Sequence, residues 1–159
     1  MNLLPFFQWC EESALGDFVR TSLWLFPVIE SFHLVAFAVL GGAVLLVDLR
    51  LLGLVMRAQP VAQLARDARP WLTGSLAVML TSGILLFLSE AVKCYYSFPF
   101  RVKIASLLLA MVFTWTLHRR VATGDAGRTG AFAGKLVALI SLLLWGTVAW
   151  GGRWIGFSG

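Results

Sequence analysis

Four segments of this chain are longer and more apolar than the core of a small soluble domain can absorb. They run over about 23–50, 71–92, 101–120 and 131–152, and a helix needs about 20 mainly apolar residues to cross roughly 30 Å of hydrocarbon. The 159 residues are 59% hydrophobic and 13% charged, against about 45–50% and about 25% in an ordinary soluble domain. The surplus has to face something other than water. A transmembrane β-barrel is excluded, because its strands are short and alternate in polarity, which none of these segments does. The expected fold is therefore all-α: one integral membrane domain, 1–159, arranged as a four-helix bundle. The third segment has a short uncharged run, so Arg101, Lys103, Arg119 and Arg120 are expected to snorkel to the interfaces.

The basic residues orient the bundle. Arg50, Arg57, Arg66, Arg69, Arg119, Arg120, Arg128 and Lys135 lie in or beside the first-to-second and third-to-fourth connections, eight of the thirteen Lys and Arg. The other side holds Arg20, Lys93, Arg101, Lys103 and Arg153. The positive-inside rule then places both termini outside, in the periplasm if the membrane is a bacterial inner membrane. These flanks account for the net charge of +5, so the partner they imply is the lipid bilayer and no nucleic acid.

The leading 22 residues carry Glu11, Glu12 and Asp17 without a basic n-region, and the apolar run behind them is too long for a signal-peptide core. The first span is expected to be retained. Residues 3–20 put Leu4, Phe7, Cys10, Leu15 and Phe18 loosely on one face, the pattern of a short N-terminal interfacial helix. Cys10 and Cys94 both fall on the outer side. In an oxidising compartment they would form a disulfide pinning that helix over the bundle; two unpaired thiols are the alternative.

Ionisable groups within a bilayer are costly and point to function or to specific pairing. In the first span Glu30, His33, Phe37, Gly41, Val44 and Asp48 share one stripe, each within about 60° of Glu30 at ~100° per residue. Glu30 and His33 stand at i and i+3, close enough to meet or to converge on one ligand. Thr81 and Glu90 from the second span and Lys103 from the third complete an expected outward-facing polar pocket. A Glu-x-x-His pair serves metals in di-metal bundles, but those use further carboxylates and a second motif; here Glu30 and His33 are the minimal metal set. A b-type haem is the other cofactor the pair admits. The chain has two histidines, and His33 and His118 differ in depth by roughly 20 Å from the helical rise, so haem would rest on His33 with Met79 or Met111 opposite. His118 itself reads as an interfacial residue. At the inner end Asp48, Arg50 and Arg69 read as a structural charge cluster, Asp48 reaching Arg69 or Arg66 and Arg50 a lipid phosphate.

The runs Phe26-Pro27-Val28-Ile29-Glu30-Ser31-Phe32-His33 and Val47-Asp48-Leu49-Arg50-Leu51-Leu52-Gly53, with Arg69-Pro70-Trp71, Thr81, Gly83 and Phe100-Arg101-Val102-Lys103, resemble an uncharacterised family of small bacterial four-span membrane proteins. The resemblance covers nearly the whole chain. It implies four helices and an inner-membrane location, and it draws attention to Glu30, His33, Asp48, Arg50 and Lys103. A more distant likeness to copper-resistance D-type and cytochrome-b-type four-helix proteins implies copper or haem.

Three functions stay open on the sequence. The first is an outward-facing pocket at Glu30/His33 for a small ligand, a cation or a quinone-type redox partner. The second is a single-haem or metal-binding redox subunit. The third is a non-catalytic anchor in a larger membrane complex or homo-oligomer, which the small-residue faces of the second and fourth spans permit. No nucleotide loop, nucleophile elbow, catalytic triad or HExxH motif occurs, which leans away from an enzyme.

Overall fold

A computed structural model describes residues 3–124 and 131–156. Among these there are helices and no strands: α1 (Leu4–Glu11), α2 (Ala14–Thr21), α3 (Leu25–Leu51), α4 (Val61–Ser89), α5 (Ala91–Tyr96), α6 (Phe98–Phe113), a single π-helical turn (Thr114–His118), α7 (Arg119–Thr123) and α8 (Ala131–Ile155). Four stretches are long and apolar enough to cross a membrane: Leu25–Leu51, Val61–Ser89, Phe98–Ala122 and Phe132–Ile155. The chain is thus a multi-pass, four-helix membrane protein. Arg128, counted above with the inner basic residues, lies outside the described residues.

Local signals explain where the helices begin. Ser97 caps α6, its hydroxyl accepting from the Phe100 N–H, with Pro99 in the first turn where its missing donor costs nothing. α4 follows Pro60 and begins ten residues before the hydropathy run that starts at Trp71. Pro70 lies inside it. At about 1.5 Å per residue its 29 residues extend about 43 Å, more than the hydrocarbon thickness, so its first turns, with Arg66 and Arg69, project past the apolar layer.

The leading segment differs from the expectation of one interfacial helix. It forms two helices, because Ser13 interrupts the run: its hydroxyl donates to the Cys10 carbonyl and caps α2 by accepting from the Gly16 N–H. These helices form a cap, α1 packing on α5 and α2 on α4. Glu11 fastens it, one oxygen accepting the Val92 N–H at 2.6 Å and the other bridging to Arg20 at 3.1 Å. Phe7 sits edge-on to both Phe87 and Tyr95. Gly16 is pressed so closely on the α4 backbone that an added Cβ would lie 2.5 Å from the Leu88 carbonyl oxygen.

In the bundle α3 packs mainly on α4, and α6 on α8, with α8 also touching α3. The central core is Leu40, Val44, Leu76, Met79, Ala110, Trp145 and Val148 with their neighbours, and it contains no ionisable side chain. Glycines set the α6–α8 approach: a Cβ on Gly151 would stand 3.0 Å from the Lys103 Cβ and 3.1 Å from the Pro99 carbonyl oxygen. Val35, Leu109, Val112 and Leu143 are each more than half exposed, as side chains facing acyl chains are. Buried serines (Ser75, Ser106, Ser141) lie along the spans, while the charged side chains gather toward two ends. The cap end carries α1, α2 and α5; the basic end carries the α3–α4 connection and α7.

Candidate functional site

At the cap end the Glu30/His33 pair is not formed. His33 turns toward α4 and bonds Ser82, Nδ1 to Oγ at 3.0 Å. The Ser82 hydroxyl donates to the Val78 carbonyl at 2.7 Å, so Nδ1–H is the donor and Nε2 is left as the acceptor. Gly83 permits this packing, since its added Cβ would meet the His33 ring at 3.1 Å. Glu30 is exposed on the outside of α3. Glu30 and Asp48 share an angle about the helix axis, but the angle alone does not decide burial: Asp48, five turns on, is covered by His118 of the third span, and Glu30 is exposed. Glu90 ends α4 and pairs with Lys93 at 3.7 Å, so Lys103 has neither Glu30 nor Glu90 as an ion-pair partner. Lys103 is half-buried with its stem over Gly152, within electrostatic range of His33 and Cys94. Thr81 is exposed and donates to the Ala77 carbonyl. It shares with Ile29, Phe32, Val78 and Ser82 an apolar groove of about 360 Å³ along the α3–α4 seam. The five residues expected to outline one pocket thus disperse.

Cys10 and Cys94 are both buried free thiols, not a disulfide, on the packed helices α1 and α5. Burial, reinforced by the charge of Glu90, pushes the Cys94 thiol up to about 11.

The basic end holds the more developed arrangement. Asp48 is fully buried, and His118, also buried, donates from Nε2 to Asp48 Oδ1 at 2.7 Å. That is the short range of a charge-assisted hydrogen bond. Asp48 Oδ2 has no partner among the described residues. His118 ends the π-helical turn, and such turns, which widen the helix locally, recur at functional sites. Buried Trp145 of α8 donates to Thr114 Oγ1 at 3.2 Å and so secures the start of the turn.

The expected cluster of Asp48, Arg50 and Arg69 is not formed either. Residues two apart on a helix point about 200° apart, so Asp48 looks inward while Arg50 closes the α3–α4 connection through the Gln59 and Arg57 carbonyls. Arg69 instead borders a cleft of about 270 Å³ between α4 and the third span. His118, Thr114 and Val47 form its buried side, Trp115 and Leu72 its walls, and Arg66, Arg69 and Arg119 its exposed rim.

The arginines that follow His118 make it read as an interfacial residue, whereas it is buried against Asp48. The available signal was depth: Asp48 and His118 each lie within four residues of the same end of their spans, so a four-helix bundle brings them level. The same arithmetic separates the two histidines. Asp48, which holds His118, lies fifteen residues beyond His33 on α3, or about 22 Å, so they cannot ligate one iron. Among the described residues no three His, Cys, Asp or Glu side chains group to hold a metal.

Fold and site together define a small multi-pass helical membrane protein with polar groups buried at both ends of an apolar bundle. The chain belongs to the family of unknown function DUF6644, whose model matches residues 6–158. No curated protein and no solved structure is detectably similar to it, and the likeness to copper-resistance D-type and cytochrome-b-type proteins gains no support from them.

Proposed function

We propose that this chain is a bacterial inner-membrane binding protein whose ligand site is the cleft at the basic end, with Asp48 and His118 as a proton-exchanging pair at its back. The observation that carries the reading is buried His118 in the lining of that cleft, bonded behind it to Asp48, whose Oδ2 has no partner among the described residues. A fully desolvated carboxylate is expensive unless its oxygens are satisfied. A ligand that donates to this pair, or a proton that resides on it, would satisfy them. The positive-inside rule supports a cytoplasmic setting for the cleft, since Arg50, Arg57, Arg66, Arg69, Arg119 and Arg120 lie at its end; both termini are then periplasmic.

Native mass spectrometry of protein extracted with its membrane lipids tests this. The wild type and Glu30→Gln are expected to retain a bound non-protein mass that Asp48→Asn and Arg66→Gln/Arg69→Gln lose. A wild type that carries no such mass, or variants that keep it, would overturn the reading.

A second reading rests on the α3–α4 groove. Its apolar walls open outward along the helices, and the His33–Ser82 bond lies behind it, which suits a quinone-type ligand entering from the bilayer. Loss of quinone retention in His33→Ala, with the cleft variants unaffected, would favour it.

A further inference from the structure

We infer that the bundle binds one water molecule between Asp48 and Ser141, at a site separate from the cleft and independent of what the cleft binds. Among the described residues, Asp48 Oδ2 and Ser141 Oγ are the two buried side-chain atoms without a hydrogen-bond partner. Neither residue has any exposed surface, and neither lines the cleft. Buried polar groups are nearly always paired, and the exceptions point to a bound water or ion. Ser141 is the more telling of the two. Seven other serine and threonine hydroxyls of the spans donate to the carbonyl four residues earlier in their own helix. Ser141 does not, so its hydroxyl is turned away from its own backbone.

Two contacts bracket the depth of these atoms. At Gly134, α8 lies against α3, where an added Cβ would stand 3.7 Å from Leu51 Cδ2. At Trp145, α8 is bonded to Thr114 of the third span. Asp48 is three residues from Leu51, and it is bonded to His118, four residues beyond Thr114. Ser141 falls between Gly134 and Trp145, four residues from the latter. Both oxygens therefore belong to one layer of the interior, within about one helical turn, or about 5 Å, in depth. One water with two bonds of about 2.8 Å spans such a gap. The α8 face at that layer is built of small residues, Gly134, Ala138 and Ser141, which leaves room for it. Water also suits the chemistry. It donates to a carboxylate oxygen and accepts from a protonated one, and a serine hydroxyl does both, so the site serves either position of the proton in the Asp48–His118 bond. A metal ion asks for more ligands than this, and among the described residues no three His, Cys, Asp or Glu side chains group to supply them. The water continues the polar chain inward from His118 in the cleft lining through Asp48 to Ser141. Ser141 is then a positioning residue that holds the Asp48 carboxylate through its second oxygen.

The test is a crystal structure of the full-length protein grown from lipid, at a resolution that shows ordered water. A rounded peak at about 2.7–3.2 Å from both Asp48 Oδ2 and Ser141 Oγ is expected. Crystals grown with thallium(I) as the monovalent salt should show no anomalous signal there, and Ser141→Val, whose methyl groups take the water's place, should lose the peak. In solution, the imidazole ¹⁵N resonances of His118 should move in Ser141→Val and stay in place in Ser106→Ala, a buried serine about 18 Å from His118 along the third span. No peak in the wild type, a direct Asp48–Ser141 bond, a thallium signal, a peak that survives Ser141→Val, or unmoved His118 resonances in that variant overturns the inference. If Ser141→Val does not fold, the wild-type map and the thallium crystals still decide. A wild type that carries no bound mass would remove the cleft reading and leave this site standing.

Discussion

Replacing Gly16 with alanine tests whether the leading helices are locked to the bundle or merely rest on it. The added methyl would lie 2.5 Å from the Leu88 oxygen and 2.8 Å from the Glu11 oxygen, where ordinary contact begins near 3.4 Å. Both are main-chain atoms within or at the end of helices, so no rotamer change relieves the clash. The α2 backbone must retreat by about 0.9 Å from α4, and overpacking of this kind costs typically about 1–3 kcal/mol. Helix propensity acts in the opposite direction, alanine being favoured over glycine by about 1 kcal/mol within a helix. The two effects predict opposite signs, which makes the substitution informative. With the clash dominant by about 1–2 kcal/mol, the undocked population rises roughly 5- to 30-fold, at 1.4 kcal/mol per decade. The assay is maleimide labelling of Cys94, in a Cys10→Ala background, because Cys94 is only 7% exposed and lies on α5, against which α1 packs. Gly74→Ala, whose Cβ would meet nothing within 4 Å, is the control and should label at the wild-type rate. If Gly16→Ala labels no faster than the control, or raises Tm, the close α2–α4 contact is not what holds the cap.

Two further outcomes follow from the same geometry. Gly151→Ala is expected to cost about 1–3 kcal/mol in thermal stability, because its methyl would meet the Lys103 Cβ and the Pro99 carbonyl at 3.0 and 3.1 Å, whereas Gly152→Ala, first touching the Lys103 ammonium at 3.6 Å, should be near neutral; reversal of that order in paired melts would contradict the α6–α8 register. For Cys94 the folded thiol titrates at about 11, above the ordinary 9.0. Its neutral form is thus favoured by the docked cap, a contribution fully present below pH 9.0 and lost as pH rises through about 11. Labelling of Cys94 in the docked protein should keep climbing between those values, where a free thiol has already reached its plateau; a plateau near 9 would mean that the thiol is solvated.

Much of the architecture was legible without coordinates because the bilayer is a severe solvent. It demands about 20 apolar residues per crossing and internal satisfaction of every backbone group, so the positions near 25–51, 98–122 and 132–155 follow from hydropathy alone. The exception is instructive. α4 starts ten residues before the apolar run at Trp71, because hydropathy reports where the membrane begins, not where the helix does, and Val61–Pro70 is the more polar first part of that helix. The split of the leading segment depended on one serine hydroxyl, a local signal weaker than the apolar pattern around it.

Side-chain partnership is a different kind of question. The sequence by itself determined that this chain is a four-span helical bundle, that its basic residues gather at one end, and that Glu30, His33 and Asp48 lie along one stripe of the first crossing. Only the tertiary structure decided which of them is covered: His33 by Ser82, Asp48 by His118, Glu30 by nothing. The reason is geometric. A helix's periodicity fixes the direction of each side chain about its own axis, but burial depends on which neighbouring helix stands in that direction at that depth, and that is set by the packing of all four spans together.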